Sequence, residues 1–217
     1  MKTDVFNQKG EKVSQIELNE IVFGVPMNES LVHQALVMQL ANRRLGTADT
    51  KTRSEVCKST RKLFNQKHTG RARRGSAKTP LLKGGGVAFG PKPRSYRQAM
   101  PRKMRRLALK CVLSAKAGGG ELKVIDNLDI DRPRTKDIFD LLVALGIDTT
   151  VLIVIDGMDD YVLKSARNMA GVKMMSANLL NVADMLGYKK LLMTTAAVKK
   201  AEELWGQERV EKMAEIK

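Results

Sequence analysis

Between Val56 and Gly120 the chain has no acidic residue across 65 positions. A stretch that long without carboxylates cannot neutralise its own bases, so it calls for an anionic partner. Cysteine is also scarce. Only Cys57 and Cys111 occur, one in a basic polar stretch and one in an apolar-periodic stretch, a pairing that describes no disulfide framework and fits a reducing cytoplasm. The two histidines, His33 and His68, stand 35 positions apart with no CxxC or HxxxH beside them, which leaves a zinc site without support. No apolar run reaches the roughly 18 residues needed to span a bilayer. The first ten residues, MKTDVFNQKG, lack the apolar core of a signal peptide.

What is present is a chain of 217 residues and 24.1 kDa with 43% hydrophobic residues, enough to bury one full core in one domain or at most two. The formal charge is +16, from 39 Lys and Arg against 23 Asp and Glu, and a balance that basic points to RNA, DNA or an anionic membrane surface. The charge is concentrated. From Arg43 to Lys110 there are 21 bases against two acids, Asp49 and Glu55, whereas the rest of the chain carries 18 bases and 21 acids. A nearly neutral body therefore carries a polycationic middle.

Upstream of that block, Asn28 to Leu45 reads as a helix. Asn28 is the N-cap, Leu31, Ala35, Leu36, Met38 and Leu45 form the apolar stripe, and Gly46 closes it. His33 falls inside this helix as a packed structural histidine. Pro101 opens a second helix, since proline suits the first helical position, with Met104, Leu107, Ala108, Cys111 and Leu113 on its apolar face up to Gly118-Gly119-Gly120. Strands and helices then alternate: Leu122–Ile125, a helix over Thr135–Leu145 stopped by Gly146, and Val151–Ile155, whose continuous β-branched run fits a strand buried on both faces. A helix from about Asp159 to Met169, a strand over Val172–Met175, a helix near Val182–Leu186, a strand over Leu191–Thr194 and a helix from Ala196 follow. Such alternation implies a mostly parallel sheet covered by helices, an α/β fold. Trp205 reads as a packing residue.

Residues 47–100 fit neither pattern. They hold six glycines and three prolines, with no sustained period, and an insertion of that length inside a compact domain is functional or disordered when free. Doubled back on itself it reaches at most about 90 Å. The predicted organisation is an α/β body, 1–46 with 101–217, and an extended basic loop, 47–100, inserted near the N-terminal third.

Within the loop, Arg71-Ala72-Arg73-Arg74-Gly75-Ser76 combines guanidinium forks that suit phosphate with a glycine that lets backbone come close. A basic linker would look similar, and the surrounding acid-free run favours RNA contact. The glycines of Gly84-Gly85-Gly86-Val87-Ala88-Phe89-Gly90-Pro91 are not a nucleotide loop. They lack the Lys-Ser/Thr ending and a following helix, and are expected to permit close approach to RNA or to the loop's other half. Gly118–Gly120 lead into a strand and fail the dinucleotide pattern. For Phe64, Phe89 and Tyr96, base stacking and local packing are both open. Asp156, Asp159 and Asp160 are read as helix-start acids rather than metal ligands.

The run Lys67-His68-Thr69-Gly70-Arg71-Ala72-Arg73-Arg74-Gly75-Ser76, followed by Gly84 to Pro91 and then Arg105-Arg106-Leu107-Ala108-Leu109-Lys110, closely resembles the bacterial form of the universal L-four family of large-subunit ribosomal proteins. Leu31-Val32-His33-Gln34 and Thr50-Lys51-Thr52-Arg53-Ser54-Glu55-Val56 match it too, so the resemblance covers essentially the whole chain. It implies a globular α/β domain on the outside of the large subunit and a loop penetrating the large rRNA, whose tip helps line the nascent-peptide exit tunnel close to where macrolides bind. By that motif the tip is Asn65, Gln66, Lys67 and His68. The family usually has Gly where this chain has His68, and commonly Lys-Pro-Trp where it has Lys62-Leu63-Phe64.

The function expected is a structural constituent of the large ribosomal subunit, cytoplasmic within the ribosome, without catalytic residues, cofactor or metal. Its expected partners are large-subunit rRNA, neighbouring ribosomal proteins and the nascent peptide, with no membrane and no DNA. The expected rRNA ligands are Arg53, Lys58, Arg61, Lys62, Lys67, Arg71, Arg73, Arg74, Lys78, Lys83, Lys92, Arg94 and Arg97 on the loop, then Arg102, Lys103, Arg105 and Arg106 on the second helix. An RNA-modifying enzyme gripping RNA with the loop is the alternative, and it would need a cofactor motif or catalytic constellation that the sequence does not display. A DNA-packaging protein would explain the charge but not one basic segment in a neutral chain.

Overall fold

In the computed structural model, residues 1–128, 130, 132–157 and 160–206 are described. They form two compact units: Met1–Leu40 with Ala99–Lys217, and Ala41–Gln98.

The first unit is built on a six-stranded sheet in the order β2-β1-β3-β6-β4-β5. Its strands are β1 (Lys2–Phe6), β2 (Lys12–Glu17), β3 (Leu122–Ile125), β4 (Val151–Ile155), β5 (Val172–Ser176) and β6 (Lys190–Thr194). Every neighbouring pair is parallel except β1 with β2. The helices are α1 (Glu20–Phe23), α2 (Glu29–Arg43), α3 (Arg102–Gly118), α4 (Thr135–Ala144), α5 (Asp160–Ala166), α6 (Val182–Gly187) and α7 (Thr195–Trp205).

Strand β4, held between β6 and the edge strand β5, explains the two-sided core. All five of its residues are buried. Leu152 and Val154 join the cluster containing α1, α2, α3, α6 and α7 side chains, while Val151, Ile153 and Ile155 join the one under α4 and α5. Period-two alternation thus feeds both faces from one apolar run, at roughly 1.5–3 kcal/mol for each large side chain withdrawn from water. Ile138, Leu141, Leu142 and Leu145 are buried as the stripe of α4 requires, and Trp205 packs into the first cluster.

Capping follows the sequence. The Asn28 side chain accepts the Leu31 amide at 3.0 Å, and Gly146 adopts the left-handed backbone, φ 62°, after α4. Several details differ from expectation. α2 ends at Arg43, so Leu45 lies past the stripe and is 86% exposed. His33 is exposed on the outer face of α2 instead of packed. Pro101 caps α3 from outside, φ −55° and ψ 141°, and Leu107 faces outward. α5 stops at Ala166 because Met169 and Gly171 turn the chain into β5. Of the acids after β4, Asp160 sits in the first turn of α5, the Asp156 carbonyl accepts from the Ser176 hydroxyl at 2.9 Å, and Asp159 lies outside the described residues.

The β1–β2 hairpin was not foreseen. Asn7 organises its turn, its side-chain oxygen accepting the Lys9 and Glu11 amides at 2.9 Å each, while Gly10 takes φ 83°. Because β2 is an edge strand with nearly all residues exposed, it carries no apolar alternation for sequence reading to find.

Lys116 is a buried base whose ammonium donates to Glu121 at 2.7 Å and to the Tyr188 and Lys189 carbonyls at 3.0 and 2.9 Å. It ties the end of α3 to the approaches of β3 and β6. Cys111 is buried and Cys57 exposed, both as free thiols. No described helix is long and apolar enough to cross a membrane.

Candidate nucleic-acid interface

The second unit has no helix or strand from Arg44 to Gln98, yet it has more internal order than its sequence pattern suggests. Its outgoing and returning limbs run antiparallel and are joined by successive rungs. The Gln98 amide donates to the Asn42 side chain at 2.8 Å. The Arg94 amide donates to the Gly46 carbonyl at 3.1 Å and that of Val87 to Lys51 at 2.9 Å, and the Thr50 hydroxyl reaches the Pro91 carbonyl at 3.2 Å. Farther along, Lys62 and Ser76 form an isolated antiparallel bridge, with the Leu63 amide on the Gly75 carbonyl at 3.1 Å.

Glycines make these approaches possible. A Cβ on Gly86 would fall 2.3 Å from the Arg53 nitrogen, and one on Gly90 would fall 2.0 Å from the Thr50 hydroxyl oxygen. Gly86 and Gly90 thus serve approach to the opposite limb, one of the two uses the sequence suggested, whereas Gly85 lies against the Thr79 carbonyl of its own limb. Gly46 has φ 69°, and a Cβ there would strike the Arg94 carbonyl at 2.0 Å and the Tyr96 ring at 3.0 Å.

The two acids of the basic block have one shared task. Lys92 Nζ lies 2.7 Å from Glu55 and 3.1 Å from Asp49. Glu55 also accepts the Thr52 amide at 2.8 Å. The Lys92 ammonium and that amide lower the Glu55 carboxyl to about 2, and the same carboxylates raise Lys92. Lys92, expected as a phosphate ligand, is therefore a strut between the limbs in this structure. Lys58 donates to the Lys83 carbonyl at 2.9 Å.

A cationic groove of about 590 Å³ lies at residues 42–47 and 93–97, with Arg44, Arg94 and Arg97 among its lining and no carboxylate. The Arg44 and Arg94 guanidinium carbons lie 3.9 and 4.6 Å from the centre of the Tyr96 ring, within range of cation–π attraction. A hydrogen bond with Arg94, with the Arg44 and Arg94 charges, pulls the Tyr96 phenol below its ordinary value. Arg44 and the acid pair were not among the expected site residues. The only signal for them was two isolated carboxylates inside a polycation.

The remaining expected ligands separate by unit. Arg53, Lys58, Arg61, Lys62, Lys67, Arg71, Arg73, Lys83, Lys92, Arg94 and Arg97 are exposed on the second unit, with Arg74 and Lys78 half-buried. Asn65, Gln66, Lys67 and His68 are exposed in the reversal enclosed by the Lys62–Ser76 bridge, and His68 has φ 63°. Arg102, Lys103, Arg105 and Arg106 are exposed on the opening turns of α3, which have no acid. Bases there oppose the positive end of the helix dipole, a cost that a bound anion offsets. Among the described residues no group of three or more His, Cys, Asp or Glu could hold a metal.

Exposed bases whose nearby acids are spent on a strut are the arrangement expected for a polyanion, and the match to known proteins decides which family carries it. Residues 16–204 match the ribosomal protein L4/L1 family. The chain belongs to that family. It is 53% identical over 207 residues to the large ribosomal subunit protein uL4 of Dehalococcoides mccartyi, an alignment covering 95% of this chain and 99% of the relative. The protein of the same name from Pelotomaculum thermopropionicum is 49% identical over 201 residues, 93% of this chain and 97% of the relative. That from Desulforapulum autotrophicum is 51% identical over 199 residues, 92% and 96% respectively.

Proposed function

We propose that the chain is a structural constituent of the large ribosomal subunit that binds large-subunit rRNA and supports subunit assembly. Membership of the ribosomal protein L4/L1 family carries this reading, and the acid-free run from Val56 to Gly120 supports it physically. The α/β body, 1–46 with 101–217, docks on the subunit surface. Residues 47–100 act as an extended basic loop that penetrates folded RNA, with neighbouring ribosomal proteins as further contacts. No residue performs chemistry, and the site of action is the cytoplasmic ribosome.

Along the loop Arg53, Lys58, Arg61, Lys62, Lys67, Arg71, Arg73, Arg74, Lys78, Lys83, Arg94 and Arg97 neutralise phosphates. Lys92 contributes its charge from within the strut. Arg102, Lys103, Arg105 and Arg106 extend the contact over the start of α3. Asn65, Gln66, Lys67 and His68 form the tip that lines the nascent-peptide tunnel.

Affinity of the purified protein for a large-subunit rRNA transcript, measured against salt, tests this. Each phosphate contact adds about −0.7 to −0.9 to the slope of log K on log salt, so a steep slope that flattens on deleting Thr60–Gly90 is expected. A shallow slope, or one unchanged by the deletion, contradicts the loop reading.

A further inference from the structure

Three aromatic side chains lie in the basic unit, and they differ in what covers them. Tyr96 is half-buried with two guanidinium groups against its ring. Phe64 is half-buried with Arg71 5.8 Å from its ring centre. Phe89 is 108% exposed, more open than any other large hydrophobic side chain described. A phenyl ring fully in water gains nothing from folding.

The backbone makes the exposure harder to dismiss. Phe89 has φ 53°, one of only two described non-glycine residues in the left-handed region, and for a bulky side chain that conformation is a genuine outlier. The turn is pinned on both sides. Gly86 rests on the Arg53 and Thr52 backbone, Gly90 rests on Thr50, and the Val87 amide is bonded to the Lys51 carbonyl. Strain that is over-determined by its surroundings, with nothing gained inside the protein, marks a position whose return comes from a partner.

We infer that Phe89 is a stacking platform for an unpaired nucleobase of the large-subunit rRNA. Folded RNA offers splayed bases that stack on exposed aromatics regardless of sequence. The loop sets the ring within the acid-free run, with Lys83 and Lys92 on either side in sequence, so phosphate attraction brings RNA to it. The pinned turn holds the ring outward, which lowers the ordering cost of stacking.

This inference rests on the rRNA-binding reading above, and the experiment separates the two. The full-length protein, Phe89→Gly and Phe89→Trp are titrated against a large-subunit rRNA transcript, with base-specific chemical probing of each complex. Phe89→Gly removes the ring and accepts the left-handed backbone without strain; Phe89→Trp keeps a stacking face. The expected result is roughly tenfold or greater loss of affinity for Phe89→Gly, near-wild-type binding for Phe89→Trp, and altered reactivity at one or two nucleotides only in the glycine variant. Equal affinity and identical reactivity for all three would overturn the stacking role while leaving rRNA binding intact. Failure of the unaltered protein to bind would overturn both. If Phe89→Gly binds rRNA normally but fails to enter assembled subunits, the ring meets a protein neighbour and the inference falls.

Discussion

Lys92 and Glu55 meet at 2.7 Å across the two limbs of the basic unit. The pair joins residues 37 positions apart, and Asp49 closes on the same ammonium. An exposed ion pair contributes little by itself. Here it acts together with the rungs from Asn42–Gln98 to Lys51–Val87, which hold the two limbs against each other. The two acids in the Arg43–Lys110 block are thereby consumed at one point, leaving the rest of its surface cationic.

The strut should titrate late. Because the folded carboxyl of Glu55 is depressed to about 2 from an ordinary value of 4.5, its contribution is fully present above pH 4.5 and disappears as pH falls towards 2. Carboxyl titration of the Glu55 side chain followed by NMR should show a midpoint near 2. A midpoint near 4.5 would mean that the limbs are not clasped. At the alkaline end the raised Lys92 holds the pair until pH rises through its folded value.

Gly46→Ala should damage the arginine–tyrosine groove selectively. The new Cβ would meet the Arg94 carbonyl at 2.0 Å with a left-handed backbone to maintain, whereas a Cβ on Gly75 meets nothing within 4 Å. Thus Gly46→Ala is expected to weaken rRNA binding while Gly75→Ala leaves it near wild type, with the body's melting temperature unchanged in both. Filter binding and thermal melting of the two variants check this, and equal binding would remove the groove from the interface.

His68→Gly should relax the loop tip. The left-handed conformation at φ 63° costs a residue with a Cβ about 1–2 kcal/mol, and this is the position where the resembled family usually carries glycine. Slower exchange of the Leu63 amide, bonded to the Gly75 carbonyl across the base of the reversal, is expected in the variant. If the tip lines the tunnel, macrolide protection of rRNA in ribosomes carrying the variant should also change. Unchanged exchange and unchanged protection would contradict the reading of the tip.

The limits of sequence reading here follow from where the information resides. Val151–Ile155 announced a doubly buried strand because burial on both faces demands a continuous apolar run, and Asn28 and Gly146 announced helix ends because orphaned backbone groups select those residue types. The Lys12–Glu17 strand of the hairpin was invisible because an edge strand in water has little apolar alternation. His33 was misassigned because its helical neighbours Leu31, Val32 and Ala35 are buried while it faces outward. In the basic unit, the exposed bases were legible from composition. The Glu55–Lys92 strut and the Tyr96 groove were not, since each depends on tertiary pairing of the two limbs.

Body stability and RNA contact should be separable. Ile153 is 1% exposed in the cluster beneath α4 and α5, so Ile153→Ala is expected to cost about 2–5 kcal/mol of body stability. Denaturant unfolding monitored at Trp205 reads this loss. At temperatures where the variant remains folded, its rRNA affinity should match the unaltered protein; a stability change under 1 kcal/mol would contradict the two-sided core.

The measurement that bears most directly on the whole account is gradient sedimentation of cell extract after a high-salt wash, quantifying this protein against large-subunit rRNA beside a variant lacking Thr60–Gly90. The expected result is one copy per large subunit for the intact chain, resistant to the wash, with retention weakened by the deletion. Absence of the intact chain from the large-subunit peak would contradict the account.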